Sequence, residues 1–299
     1  MTYWRTYVTP RTLDDALAAL RRSSGEARVV AGGTDLLLDL QQGRHAPVDT
    51  LVDVTRLPEL AEIRMEAQTL FLGAAVTHAV LAAEPRLEPH ARALCEACAL
   101  IGGPQVRNVA TLGGNVAHAL PAADATIALL ALGAQAELAS VDGGRQTVPL
   151  GSLFAGPGKT TFDRARTIIV GFRLPLRTGR QGSAFRRVMR PQGVAIAILN
   201  LAVWVELDEQ ATIAAARVAA GPSAPTPQRL RAAEAALLGQ PCAQVDYAAV
   251  SEAMRTESRL RSSAHRATSD YRRHLLRVLL ERTLPAAIED ARRPLEAGA

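Results

Sequence analysis

Lysine is almost missing from this chain of 299 residues: among its 34 lysines and arginines only Lys159 is a lysine. Arginine therefore carries the positive charge, and unevenly, since residues 161–299 hold 21 arginines against 13 acids while residues 1–160 hold 13 basic against 16 acidic residues. A basic C-terminal half suits nucleic acid, an acidic partner subunit or an anionic cofactor, and charge alone does not separate them. With alanine so abundant, the arginine usage reads as compositional bias rather than a nucleic-acid code, so nucleic acid is not expected as a partner. Cysteine is scarce as well. Cys95, Cys98 and Cys242 are too few and too unevenly placed for a disulfide framework and read as reduced thiols. Cys95-Glu96-Ala97-Cys98 has metal-ligand spacing, but it lies in a helical apolar stretch with no second Cys/Cys or Cys/His pair, so no metal is assigned to it. His45, His78, His90, His118, His265 and His274 show no paired metal spacing either. No run of 18 or more apolar residues suggests a membrane span, and Met1-Thr2-Tyr3-Trp4-Arg5 lacks the layout of a secretory signal, so a cytoplasmic protein is expected.

What is present is apolar material for two or three cores, 48% of the residues being hydrophobic. Thr12 followed by Asp15 marks a helix start, with Ala16, Leu17 and Leu20 on one face and an end near residue 22. Arg28-Val29-Val30 reads as a buried strand, broken by Gly32-Gly33-Thr34-Asp35 before a helix opening at Leu36-Leu37-Leu38; a strand at 51–54 would pair beside it. Another strand is expected at 69–72. Helical spacing prevails from 74 to 100, a glycine-dense loop follows, and a helix at 123–132 leads into a strand at 134–141, the hairpin turn Asp142-Gly143-Gly144 and a strand from Thr167 to Pro175. The last third reads as strands at 183–189 and 212–219 around an apolar segment at 194–207, then a proline-rich connector and two or three helices.

Two glycine clusters carry the chemistry. Gly32-Gly33-Thr34-Asp35 sits where a strand hands over to a helix, so backbone amides can face a phosphate without side-chain interference, although the same pattern also serves as a plain tight turn. Thr111-Leu112-Gly113-Gly114-Asn115 lies about 80 residues later, with Asp124 beyond it as an acceptor for a hydroxyl. A dinucleotide needs two such backbone approaches. Gly158-Lys159-Thr160 is a decoy, because the phosphate-loop spacing would need glycine at Leu153.

Val30-Ala31-Gly32-Gly33-Thr34-Asp35-Leu36-Leu37 and Gln105-Val106-Arg107-Asn108-Val109-Ala110-Thr111-Leu112-Gly113-Gly114-Asn115 resemble the two FAD motifs of the molybdenum-hydroxylase flavoprotein family, which includes the medium subunit of carbon monoxide dehydrogenase and the FAD domain of xanthine dehydrogenase. Pro121-Ala122-Ala123-Asp124, Gly156-Pro157-Gly158-Lys159-Thr160, Leu174-Pro175, Arg261-Ser262-Ser263 and Tyr271-Arg272-Arg273 extend the resemblance over essentially the whole chain. It implies an α+β fold: a two-subdomain FAD-binding fold of the PCMH (vanillyl-alcohol-oxidase-like) type, at 1–56 and 57–176 with FAD between them, and a C-terminal α+β domain of antiparallel sheet and helices at 177–299. It further implies that Ala31, Gly32, Gly33, Thr34, Asp35 and Leu36 wrap the FAD diphosphate. Thr111, Gly113, Gly114 and Asn115 would line the flavin and its linker, with His118 nearby. Asp124 would bind a sugar or ribityl hydroxyl, Ile169 would lie beside the isoalloxazine ring, and Arg186 would stand near the cofactor.

The function implied is electron transfer in a heteromeric molybdenum hydroxylase or dehydrogenase. A large subunit would hold the molybdenum cofactor and a small subunit the 2Fe-2S clusters, as a dimer of heterotrimers, and FAD on this chain would pass electrons to an external acceptor. No catalytic acid, base or nucleophile is required of the chain itself. The family branch that carries an extra cluster does so through an inserted cysteine-bearing loop, which is absent from this sequence. Two other classes stay open: a self-contained FAD oxidoreductase on the same fold, which would need its own acid–base groups, and an arginine-rich binding module without cofactor, which would be colourless and strongly salt-dependent.

Overall fold

A computed structural model describes residues 2–190, 196–264 and 266–295. The backbone divides into two compact units, the first from the described residues of Met1–Val80, Pro104–Ala119 and Ala134–Pro175, the second from those of Leu81–Gly103, Leu120–Gly133 and Leu176–Ala299.

The first unit opens with three parallel strands, β1 (Trp4–Val8), β2 (Ala27–Val30) and β3 (Val48–Asp53), in the order β1-β3-β2. The helix Leu13–Arg22 starts where expected, with Thr12 Oγ1 accepting the Asp15 N–H at 3.1 Å and Ala16, Ala19 and Leu20 buried. Strand β1 escaped the sequence reading because none of its residues is fully buried, so it has no apolar alternation to show. The helix Leu36–Gln41 connects β2 to β3, and Val30, Leu40, Val48 and Leu51 form a small core with Trp4, Leu36 and Leu37 against it. A second sheet is antiparallel throughout, in the order β4-β5-β10-β6-β7. Its strands are β4 (Ile63–Met65), β5 (Thr69–Gly73), β6 (Gln135–Ser140), β7 (Gly144–Pro149) and, in the middle, β10 (Thr167–Pro175). Between β7 and β10 lies a separate hairpin, β8 (Phe154–Gly156) and β9 (Lys159–Thr160), which carries Lys159 on an exposed strand and not at a phosphate loop.

The second unit is built on four antiparallel strands in sequential order: β11 (Gln181–Met189), β12 (Ala197–Leu207), β13 (Ile213–Gly221) and β14 (Gln228–Arg229). In β12 the alternate residues Leu199, Leu201, Val203 and Val205 join the core made with Leu275, Leu276, Leu279, Leu280 and Leu284 of the helix Ser269–Arg292. The period of two sends Asn200 to the opposite face, toward the helix Asp124–Ala131. The expected apolar segment thus begins as a strand at Ala197, and its first residue, Val194, lies outside the described residues, as does His265. Helical spacing read continuously from 74 to 100 is two helices, His78–Ala83 and Glu88–Leu100, separated by a stretch that contains Pro85. Residues 57–176 contribute to both units, because Glu88–Leu100 packs on β11 and Asp124–Ala131 on β12 and β13. No helix among the described residues is long and apolar enough to cross a membrane.

Candidate cofactor site

Strand β2 is an edge strand, so at its end the chain leaves the hydrogen-bond ladder with no further strand beside it. The consequence is a run of open donors. Among the described residues, the backbone N–H groups of Ala31, Gly32, Gly33, Thr34, Asp35 and Leu36 donate to no protein acceptor; the next, Leu37 N–H, reaches Gly33 O at 3.0 Å. No side chain caps the helix Leu36–Gln41 either. Six consecutive amides without a protein acceptor, on residues that are half-buried or exposed, match the many acceptor oxygens of a diphosphate. Gly33 has φ of +68°, a backbone that a side chain would strain. Gly32 is glycine for another reason: a Cβ there would stand 2.0 Å from Val109 O, so the two glycine motifs touch backbone to backbone.

The second motif is arranged differently from the sequence expectation. Gly113 and Gly114 are not in a loop ahead of the helix at 123–132 but inside their own short helix, Leu112–Ala117, because Thr111 caps it, Oγ1 accepting the Gly114 N–H at 3.2 Å. Its amides are used by the protein: Leu112 N–H donates to Val76 O at 3.0 Å, Gly113 N–H to Ala74 O at 2.8 Å and Asn115 N–H to Thr111 O at 3.0 Å. Gly113 is sealed against Ala74, whose Cβ would lie 2.6 Å from an added one. Gly114 is exposed, and a Cβ there meets only Thr111 Oγ1, at 3.1 Å. Ala74 also donates its N–H to Val170 O at 2.9 Å, at the bulge in β10 between Ile169 and Gly171, so Ile169 is held one residue away from the same junction. His118 Nε2 lies 3.7 Å from Asp35 Oδ1.

The first unit therefore brings together residues 31–36, Thr111, Gly113, Gly114, Asn115, His118 and Ile169. Sequence reasoning missed Arg164, whose guanidinium donates to Ala117 O at 3.2 Å and to Gly158 O at 2.6 Å and so ties the β8–β9 hairpin to the end of the helix Leu112–Ala117. Its acceptors are main-chain carbonyls, which leave no mark in the sequence.

Asp124 and Arg186 belong to the second unit, and the protein already occupies both. Asp124 is 5% exposed; Asn200 Nδ2 donates to its Oδ1 at 2.6 Å and Arg187 Nη1 donates to its Oδ2. Burial pushes the Asp124 carboxyl up, against the pull of Arg187 and Asn200. The carboxylate that the resemblance assigns to a cofactor hydroxyl is thus a paired, interior one. Arg186 Nη1 donates to Glu96 Oε2 and to Phe185 O, both at 2.7 Å, so its charge is matched inside the unit. Cys95 and Cys98 face inward on the helix Glu88–Leu100; burial pushes the Cys95 thiol up to about 12 and that of Cys98 well above its ordinary value, which keeps both protonated. Among the described residues no group of three or more His, Cys, Asp or Glu side chains is placed to hold a metal ion.

The open amides at 31–36 and the uncovered Gly114 fit an FAD diphosphate and its linker. Comparison with known proteins agrees with FAD as the cofactor. The family described as FAD binding domain in molybdopterin dehydrogenase matches residues 3–177, and the CO dehydrogenase flavoprotein C-terminal domain matches residues 183–287. The chain is 32% identical over 292 residues to the putative xanthine dehydrogenase FAD-binding subunit of Escherichia coli K12, covering 96% of this chain and 97% of that one. It is 33% identical over 288 residues to subunit alpha of the 6-hydroxypseudooxynicotine dehydrogenase complex of Paenarthrobacter nicotinovorans, covering 96% and 95%. Among solved structures, carbon monoxide dehydrogenase from Hydrogenophaga pseudoflava superimposes with a TM-score of 0.89 at 30% identity, covering 97% of this chain and 99% of that one. This chain belongs to the family of FAD-binding medium subunits of the molybdenum hydroxylases, and is an oxidoreductase subunit.

Proposed function

We propose that this chain is the electron relay of a heteromeric molybdenum hydroxylase, taking electrons from 2Fe-2S clusters in a small subunit and passing them to an external acceptor, in a complex whose large subunit holds the molybdenum cofactor. The observation that carries the reading is the run of six unpaired backbone donors at 31–36. Bound FAD would supply the redox chemistry, exchanging electrons one or two at a time. The protein's own work is to bind and orient. Residues 31–36 hold the diphosphate, Gly114 leaves room for the linker, Thr111 fixes the helix that presents it, and Asn115, His118 and Ile169 stand beside the ring. Asp124 keeps its two protein donors and accepts one cofactor hydroxyl on a remaining lone pair, and Arg186 stands near the cofactor with its charge matched by Glu96. The assembly is a dimer of heterotrimers in the cytoplasm, and its organic substrate is chosen by the large subunit.

The test is to purify the complex through a tag on this chain and to record its visible spectrum and its co-purifying proteins. Flavin bands with molybdenum and iron–sulfur subunits support the relay. Flavin without partners turns the reading into a self-contained oxidoreductase, and a colourless chain that refuses FAD sinks both. Gly114→Ala sharpens the test of the site, because the new methyl meets only Thr111 Oγ1 and helix interiors favour alanine by up to about 1 kcal/mol. Expected is unimpaired stability with at least tenfold weaker FAD binding by fluorescence titration. Asp124→Ala is expected to weaken FAD binding too; unchanged affinity removes its hydroxyl role.

A further inference from the structure

The helix Ser269–Arg292 starts from a loop folded back on its first turn. Ser263 N–H donates to Ala267 O at 2.9 Å, Ser269 N–H donates to Ser262 Oγ at 2.9 Å, and Thr268 Oγ1 accepts the Tyr271 N–H at 3.2 Å. This folding brings Arg261 and Arg266 to the end of the helix where backbone N–H groups converge. Arg190, the residue after β11, reaches this loop from elsewhere in the chain, its Nη2 donating to Arg266 O at 3.4 Å. One turn in, Arg272 donates its backbone N–H to Thr268 O at 3.2 Å while its side chain is enclosed: the residue is 2% exposed and its Nε has no hydrogen-bond partner. Among the described residues no carboxylate pairs with it. The one acid of the first turn, Asp270, is exposed and held by Arg273. Burial and the neighbouring Arg266 and Arg261 guanidinium groups all act to lower the Arg272 pKa, and nothing opposes them.

An enclosed guanidinium without a counter-charge is among the least favourable arrangements in a folded protein, and two more arginines beside it worsen it. The arrangement becomes favourable once a compact anion sits among them. Three guanidinium groups and the positive end of a 24-residue helix outmatch a single carboxylate charge and suit a tetrahedral oxyanion with more than one charge and several acceptor oxygens. We propose that the start of the helix Ser269–Arg292 is an oxyanion site in which Arg272, flanked by Arg261 and Arg266, binds one phosphate group, free or as the end of a phosphate monoester. The proposal uses none of the residues assigned to FAD and does not rest on that assignment.

The test uses the full chain saturated with FAD, so that the residues at 31–36 are not competing for the probe. Inorganic phosphate and phenyl phosphate are titrated by calorimetry against chloride at equal ionic strength. Expected is saturable phosphate binding that Arg272→Met weakens at least tenfold, together with a higher Tm for Arg272→Met in phosphate-free buffer, because the unpaired charge is gone. Should that variant fail to fold, Arg261→Gln with Arg266→Gln is expected to weaken binding at least tenfold on an intact core. Binding of phosphate alone assigns a free ion, and binding of both probes assigns an ester. Phosphate binding no stronger than chloride, or undiminished in both sets of variants, overturns the proposal. A chain that refuses FAD leaves this test readable, since the loss in the arginine variants reports on this site and not on residues 31–36.

Discussion

His78 is 1% exposed, and its backbone N–H donates to Ala110 O at 3.0 Å, beside the cap residue Thr111. Burial lowers its pKa from 6.5 to about 4. Between those values the unfolded chain takes up a proton that the native chain refuses, so stability is full above pH 6.5 and is lost as pH falls toward 4. The slope is at most about 1.4 kcal/mol per pH unit and the whole loss about 3 kcal/mol. Urea denaturation at pH 7 and pH 4.5 should show this loss, and His78→Gln should flatten the difference between the two; an equal difference in both proteins refutes the assignment. At this scale glycine was the readable residue. Gly32 and Gly33 were visible as necessary glycines, whereas the reason at Gly32, contact with Val109 O, depends on a strand of chain nearly 80 residues away. Asn200 and Arg187 had no signature at all, since what makes them matter is that strand register sets them against Asp124.

Elements were legible in proportion to how asymmetrically they are buried. The helix Leu13–Arg22 declares itself by its period and β12 shows itself as an apolar segment though not as a strand, while β1 and the short β4 have too little buried surface to do either. Charge on a sheet face is equally silent in sequence. On the five-stranded sheet Glu137 of β6 is 8% exposed and accepts from Arg145 of β7 at 3.0 Å and Arg173 of β10 at 3.2 Å. Arg145 continues to Glu59 and Arg173 to Glu66, while Arg64 and Arg173 stack over Phe71. Register explains why one acid serves two strands, because Arg145 and Arg173 each lie two positions along from the residue directly opposite Glu137. Arg145 is nearly half exposed, so solvent screening trims the benefit. Glu137→Gln should therefore cost about 1 kcal/mol by urea denaturation and leave FAD affinity unchanged. A loss of FAD binding with unchanged stability would show that this ladder serves the cofactor and not the sheet.

At the scale of the whole molecule the sequence invites a cut near residue 177, where β10 ends at Pro175 and a charged, glycine-containing run follows, and the two family matches also meet there. Packing does not follow that cut. The helices Glu88–Leu100 and Asp124–Ala131 precede it, yet both belong to the unit built on β11 to β14. A reading along the chain could not see this, because it groups residues by neighbourhood in sequence, and these helices find their apolar partners about 100 residues later. In Asp124–Ala131 every residue is buried, so no polar face exists that could turn to water if the later strands were removed. Ala93, Leu94, Ala97 and Cys98 of Glu88–Leu100 are buried in the same unit. Asp124 would also lose Arg187 and Asn200 together. A fragment ending at residue 177 should accordingly fail to unfold cooperatively and should aggregate, and co-expression with residues 178–299 should restore a soluble complex. The readout is size-exclusion chromatography with thermal unfolding followed by circular dichroism. A monomeric 1–177 fragment with a sharp transition and full helix content would mean that the two helices are held by their own sequence neighbours, and the interleaved division would have to be given up.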